Sequence, residues 1–519
     1  MTPEELTAKE SRLKAGVGLL VLITVLDSLA GSVADPDLWG YLAFGRLFWQ
    51  GSRFPYHDVF SYVVPTLDPW IYHEWLTGVL FYPLYQSLGA YGLQLLKYGL
   101  GLAAAGFIYL TALKRGASPV MAALGVWVVN LFLVMGYSPV RAQVFTYAFF
   151  PLYLYLLESA RITGRWRRLW FLVPIQVLWC NLHGGFVSGL GLIALYALGE
   201  ALCRRPFRPY LGILLASVLV TLVNPYGPAY WNYIFKAVTM PRPDITEWAS
   251  VIYAYQRSLI TSFELVYLAA IIAFAVSLIW WARWREATPG LALAVTLYLG
   301  LRHIRHQVFF MMLVGAYLPV LATAYFEVLG SRPNFKAVWQ RLGLKISTLL
   351  VAFMLVVSTY GFLRDFSLNL KIPPQPGVQT EGSLYYPVGA INYIIKHRLS
   401  GKLLLEFIWG EYALWTLYPQ CRVAVDGRYE AVYSQATAQA YFDFLYGRNN
   451  WEQFLEHYPP DMLLISVRVP VYPLILKESQ WRLVYSDTGC ALFLRSDRLA
   501  ASGVLGPSGG QTAGTTSGP

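Results

Sequence analysis

The residues best suited to chemistry cluster near the start of the 519-residue sequence. Asp35-Pro36-Asp37-Leu38-Trp39 is followed by Gly45-Arg46, by Pro55-Tyr56-His57-Asp58-Val59-Phe60-Ser61-Tyr62, and then by Pro69-Trp70 and His73-Glu74-Trp75-Leu76. Such carboxylates can take a proton from an attacking hydroxyl or hold a cation. Asp-Pro-Asp is also good turn chemistry, so a turn or a cap explains either residue taken alone. Asp35, Asp37, His73 and Glu74 are the candidate catalytic groups. Arg141, Arg302 and Arg305 offer planar, always-charged forks for an anion, although interfacial snorkelling explains each one singly. His183 precedes two glycines, which a tight turn accounts for without any ligand, and His303 stands between Arg302 and Arg305. Val425-Asp426-Gly427-Arg428-Tyr429-Glu430 follows an expected strand, and open α/β sheets bind ligands at strand C-termini. Asp426 and Arg428 can therefore hold an acceptor, dock on the first loop or pin the turn.

The elements that must position these groups belong to a membrane protein. Charged residues make up 13% of the chain and apolar ones 56%, against about 25% charged in a soluble domain. A soluble enzyme, a disordered chain and a nucleic-acid-binding module are excluded. Four cysteines exclude a disulfide scaffold or a zinc ribbon. About eleven segments are apolar enough to span: 13–33, 91–113, 118–136, 140–160, 169–183, 185–203, 210–224, 262–281, 287–301, 307–327 and 346–364. The first reads as a retained anchor, since it has no small-residue cleavage site. With eleven spans, Lys9, Arg12, Lys14, Lys114-Arg115, Arg161, Arg204, Arg283 and Arg332 all fall on the N-terminal side. That side is then cytoplasmic, and the net charge of +11 is largely a topology signal. The segment 73–88 reads as a helix along the outer surface.

The fold class expected is thus a polytopic α-helical membrane protein with a small extracytoplasmic α/β domain. Residues 1–364 form the membrane domain, with a long outer loop at 34–90. The α/β domain spans 365–500, behind a Pro-rich linker at 372–377, with strands at 402–407, 422–425, 462–467, 481–485 and 491–494. A tail at 501–519 has no periodicity and is expected to be disordered. All seven histidines and the first-loop acids Asp35, Asp37, Asp58, Asp68 and Glu74 fall outside on this topology. That one-sidedness points to an outward-facing site. Cys421 and Cys490 can bond if their strands are neighbours. Lys97 and Asp27 lie within apolar spans, where ionisable residues are functional candidates.

The first-loop pattern resembles the GT-C superfamily of membrane glycosyltransferases, in the bacterial branch related to protein O-mannosyltransferases and lipid A aminoarabinose transferases. The resemblance extends to Arg141-Ala142-Gln143-Val144-Phe145-Thr146, Trp179-Cys180-Asn181-Leu182-His183-Gly184-Gly185, Arg302-His303-Ile304-Arg305-His306, and Trp409-Gly410 with Val425–Glu430. It implies a multi-pass plasma-membrane enzyme that moves a sugar from a polyprenyl-phosphate-linked donor to a glycan, lipid or protein acceptor at the outer face, with inversion. Asp35 or Asp37 would be the base, and Arg141, His183, Arg302, His303, Arg305, Asp426 and Arg428 would bind substrate. No cofactor is assigned, and divalent-cation use varies in the superfamily. A transporter or flippase is the alternative, and it needs a polar path that the spans hardly provide. A non-catalytic glycan-binding membrane protein is another.

Overall fold

The computed structural model describes residues 3–31, 34–51, 53–65, 69–137, 140–283, 286–365 and 386–498. Asp68, the 372–377 linker and the 501–519 tail lie outside the described residues. The chain divides into two compact units. One takes in Met1–Ser32, Leu84–Ile234 and Pro241–Leu370, and the other Val33–Pro83, Phe235–Met240 and Lys371–Pro519. The first loop thus groups with the C-terminal segment.

Every expected apolar segment carries a helix. These helices are Pro3–Ser28, Trp75–Lys114, Pro119–Tyr137, Gln143–Thr163, Leu172–Leu182, Phe186–Leu202, Arg208–Val220, Ser262–Trp281, Ala287–Arg302, Gln307–Ser331 and Pro333–Asp365. Among the described residues, four stretches are long and apolar enough to cross a membrane: Trp75–Lys114, Ser262–Trp281, Ile304–Ser331 and Leu342–Arg364. The segment 73–88 is not separate. It runs into the following helix through a break at Gly89, where φ is 60° and ψ −150°, a conformation that needs glycine. The Ser262–Trp281 helix opens with a capping box, in which Glu264 N–H donates to Thr261 Oγ1 and Thr261 N–H to Glu264 Oε2.

Polar side chains stitch the helical unit together. Thr24 and Ser358 share a hydrogen bond of 3.2 Å and Trp127 Nε1 donates to Ser358 Oγ, beside an apolar cluster of Val17, Leu20, Ala123, Val351 and Met354. Lys97 is buried, and its Nζ donates to the Gly31 carbonyl at 2.7 Å. A larger network forms around Arg115 and Arg161. Arg115 binds Glu158 and Glu286 at 2.5 and 2.9 Å, and Arg161 binds Glu200 and Glu286 at 2.7 Å each. Tyr196 donates to Glu158 at 2.6 Å. These arginines are therefore ion-paired in the interior, beyond any role as topology signals. Glu158→Ala should lower unfolding stability by up to about 3 kcal/mol, since Arg115 loses the nearer and more buried of its two carboxylates and keeps only Glu286. Chemical unfolding in detergent measures this.

The C-terminal unit holds a five-stranded sheet: β1 (Gly401–Leu405), β2 (Cys421–Val423), β3 (Met462–Ser466), β4 (Trp481–Ser486) and β5 (Cys490–Arg495), in the order β2-β1-β3-β5-β4. Strands β2, β1 and β3 are parallel, and β3, β5 and β4 antiparallel. The buried runs Leu403-Leu404-Leu405 and Met462–Ile465 make its centre. Cys421 and Cys490 lie on strands separated by β1 and β3, and both thiols are free.

Glu406 follows β1, and burial pushes its carboxyl up to about 7. Between its ordinary value and 7 the folded protein therefore holds a proton that the unfolded chain releases. The resulting stabilisation is complete at low pH and is lost as pH rises through 7. Thermal unfolding should show a fall in midpoint between pH 5 and 8 that Glu406→Gln reduces.

Candidate functional site

Asp37 opens the Asp37–Gln50 helix, and its backbone N–H donates to Asp35 Oδ1 at 3.0 Å. Asp35 is buried and closes the turn. Asp37 stands half-buried in the first helical turn, where the helix dipole favours a negative charge.

Glu411 joins these acids, although sequence reasoning missed it. Gly40 N–H donates to Glu411 Oε2 at 3.0 Å. A Cβ on Gly427 would stand 2.9 Å from Glu411 Oε1 and 3.0 Å from Asp37 Oδ1, so both carboxylates close on one point of backbone. Burial, and then the charges of Asp37 and Asp426, push the Glu411 carboxyl well above its usual range despite Arg428. Glu411 thus stands beside Asp37 with its carboxyl raised by burial and by that neighbour. Its Oε2 is taken by Gly40, and Oε1 is the oxygen near Asp37. His73 Nε2 lies 3.5 Å from Glu74 Oε1. Burial and the charges of Glu74 and Glu411 raise the Tyr72 hydroxyl, which places Glu74 near the same acids. Among the described residues, no three His, Cys, Asp or Glu side chains come together as metal ligands.

Arg428 is a buried clamp. Its Nε and Nη2 donate to Asp426 Oδ1 and Oδ2 at 2.8 and 2.7 Å, and its Nη1 donates to Asp58 Oδ1 at 2.5 Å. Tyr433 adds a 2.7 Å bond to Asp426, and the guanidinium lies over the Phe60 and Trp70 rings. Asp58 in turn accepts the backbone N–H groups of Phe60 and Ser61. That fixes the segment which pairs with the edge of β2, through Tyr62 N–H to Val423 O and Val423 N–H to Phe60 O at 3.0 Å each. Of the roles open to Asp426 and Arg428, the geometry shows two together: the pair pins its own turn and docks on the first loop.

The helical unit gathers two more groups. Gly185 N–H donates to His183 Nδ1 at 3.0 Å, so the ring proton sits on Nε2. Thr146 shares a 2.7 Å bond with the same nitrogen and accepts from Trp179 Nε1, which ties two of the sequence motifs together. Separately, Arg305 and Arg141 lie 3.4 and 3.6 Å from Glu247 Oε1. Arg242 and Arg305 stack on the Trp248 ring at 4.3 and 4.7 Å, and His303 Nδ1–H donates to the Trp248 carbonyl at 2.7 Å. Arg302 is exposed and has no ion-pair partner among the described residues. Sequence reasoning missed Arg242, Glu247 and Trp248. The only signal was two acids, an arginine and a tryptophan in the Pro-bearing stretch Pro241-Arg242-Pro243-Asp244-Ile245-Thr246-Glu247-Trp248.

No protein-family model and no curated protein matches the sequence. Solved structures do. The archaeal oligosaccharyltransferase AglB from Archaeoglobus fulgidus, in complex with an inhibitory peptide and a dolichol-phosphate, aligns over 93% of this chain and 74% of its own, with TM-score 0.56 and 10% identity. ArnT from Cupriavidus metallidurans in the apo state aligns over 94% and 98%, with TM-score 0.51 and 14% identity. The arabinofuranosyltransferase AftD from Mycobacteria aligns over 93% of this chain and 40% of its own, with TM-score 0.52 and 14% identity. The chain shares the fold of these three proteins.

Proposed function

We propose that the chain is a multi-pass membrane glycosyltransferase that moves a sugar from a polyprenyl-phosphate donor to an acceptor at the outer face. About eleven spans, a cytoplasmic N-terminus and an extracytoplasmic C-terminal domain belong to this reading. The observation that carries it is the pairing of Asp37 with the buried carboxyl of Glu411 on a chain of GT-C fold. Asp37, at the start of its helix and beside Glu411, is assigned as the base.

The acceptor hydroxyl attacks the anomeric carbon from the face opposite the phosphate. Its proton passes to Asp37, the bond from carbon to phosphate oxygen breaks, and the phosphate leaves with that electron pair. The configuration inverts. Glu411, whose carboxyl burial and Asp37 push upward, stands beside the base. Arg141, Arg302 and Arg305 neutralise the phosphate as its charge grows. His183 and His303, with their tautomers fixed by backbone partners, hydrogen-bond the donor. Glu74 orients His73 near the base. Mass spectrometry of cell-surface glycans, glycolipids and glycoproteins, with and without the protein, tests this. One missing sugar is the expected result, and identical profiles oppose it.

A further inference from the structure

Glu247 differs from the buried acids of the helical unit. Glu158 and Glu200 contact their arginines at 2.5 and 2.7 Å and are almost fully enclosed. Glu247 shares one oxygen between Arg305 at 3.4 Å and Arg141 at 3.6 Å, with its side chain 35% exposed. Charge-assisted hydrogen bonds normally close to about 2.7–2.9 Å, so this contact is loose. Burial by itself favours the neutral acid, but Arg305, Arg141 and Arg242 hold the Glu247 carboxyl below its usual range and keep it charged.

Two of the arginines have another support. Arg305 and Arg242 lie over Trp248. The turn that carries Glu247 is anchored through its backbone, by His303 to the Trp248 carbonyl and by Ile304 N–H to the Ala249 carbonyl at 2.9 Å. The carboxylate can therefore swing out while the cations and the turn stay in place.

We propose that Glu247 is the resting counter-ion of this arginine cluster, displaced by the phosphate of the lipid-linked donor and returning to expel the lipid phosphate after transfer. The idea rests on the reading of Arg141 and Arg305 as phosphate-binding residues, and it adds Arg242 to them. The charge balance supplies the reason. A sugar-bearing phosphodiester carries one negative charge, whereas the phosphomonoester left after transfer carries about 1.5 to 2 at pH 7. Arginines that stabilise the growing charge also retain the product. An internal carboxylate that competes for the same donors limits that retention.

The test uses the full chain in lipid nanodiscs, with sugar-free polyprenyl phosphate as the probe. Glu247→Gln keeps the shape of the side chain and removes the competing charge, so it should tighten probe binding by about tenfold. It should also slow multiple-turnover transfer more than the single-turnover rate. Arg141→Ala, Arg242→Ala and Arg305→Ala should each weaken binding. If the arginine variants weaken binding but Glu247→Gln leaves it unchanged or weaker, displacement is wrong and the phosphate site stands. If none of the arginine variants alters binding, the phosphate-site reading falls, and the displacement idea falls with it.

Discussion

Asp37→Asn is expected to lower turnover by about 10²–10⁴-fold, the usual contribution of a positioned general base. Asparagine keeps the size of the side chain and loses its basicity, so donor binding should persist while transfer stops. Asp35→Asn should behave differently. The asparagine carbonyl oxygen can still accept the Asp37 N–H that Asp35 Oδ1 accepts at 3.0 Å, so the helix start survives, and turnover should stay within about threefold, under one kcal/mol. Steady-state transfer assays on the two variants separate the roles. The reverse pattern would make Asp35 the base.

Arg428→Ala is expected to have the largest effect on stability. It would leave Asp426 and Asp58, both almost wholly buried, without the guanidinium that joins them. Removing one partner of a buried ion pair typically costs about 3–5 kcal/mol, and here two carboxylates lose the same partner. Arg428→Lys should recover little, because an ammonium cannot reproduce three bonds from one planar fork. The segment around Phe60 should then leave the edge of β2. Limited proteolysis near residues 57–62 should speed up in parallel with the fall in unfolding midpoint. A protein that kept both its midpoint and its protease resistance would show that the clamp is not what holds the loop.

Much of this architecture is legible in the sequence. The helices are visible because the chain has long apolar runs, and the five strands because Leu403–Leu405, Met462–Ile465 and their partners are short apolar runs between turns. The D-x-D turn and the Asp-Gly-Arg turn were visible as motifs. Glu411 was not, because its hydrogen-bond partner Gly40 is 371 positions away in the sequence, and local pattern carries no such signal. The same holds for Arg115 and Arg161. Read locally they are flanking charges, and only the packing of Glu158, Glu200 and Glu286 makes them interior. The sequence leaves acceptor binding, docking and turn pinning open for Asp426 and Arg428, and the docking shows only in the position of Asp58. Cys421 and Cys490 needed the strand order, which spacing cannot supply.

The most direct test of the central claim follows a labelled sugar. Membranes containing their natural acceptors would be given polyprenyl-phosphate donors labelled in the sugar, with the wild-type chain or Asp37→Asn present in equal amounts. The expected result is movement of label to an acceptor and release of sugar-free polyprenyl phosphate by the wild type, with donor bound but unconsumed by Asp37→Asn. Equal consumption of donor by both proteins, or none above membranes lacking the chain, would contradict it.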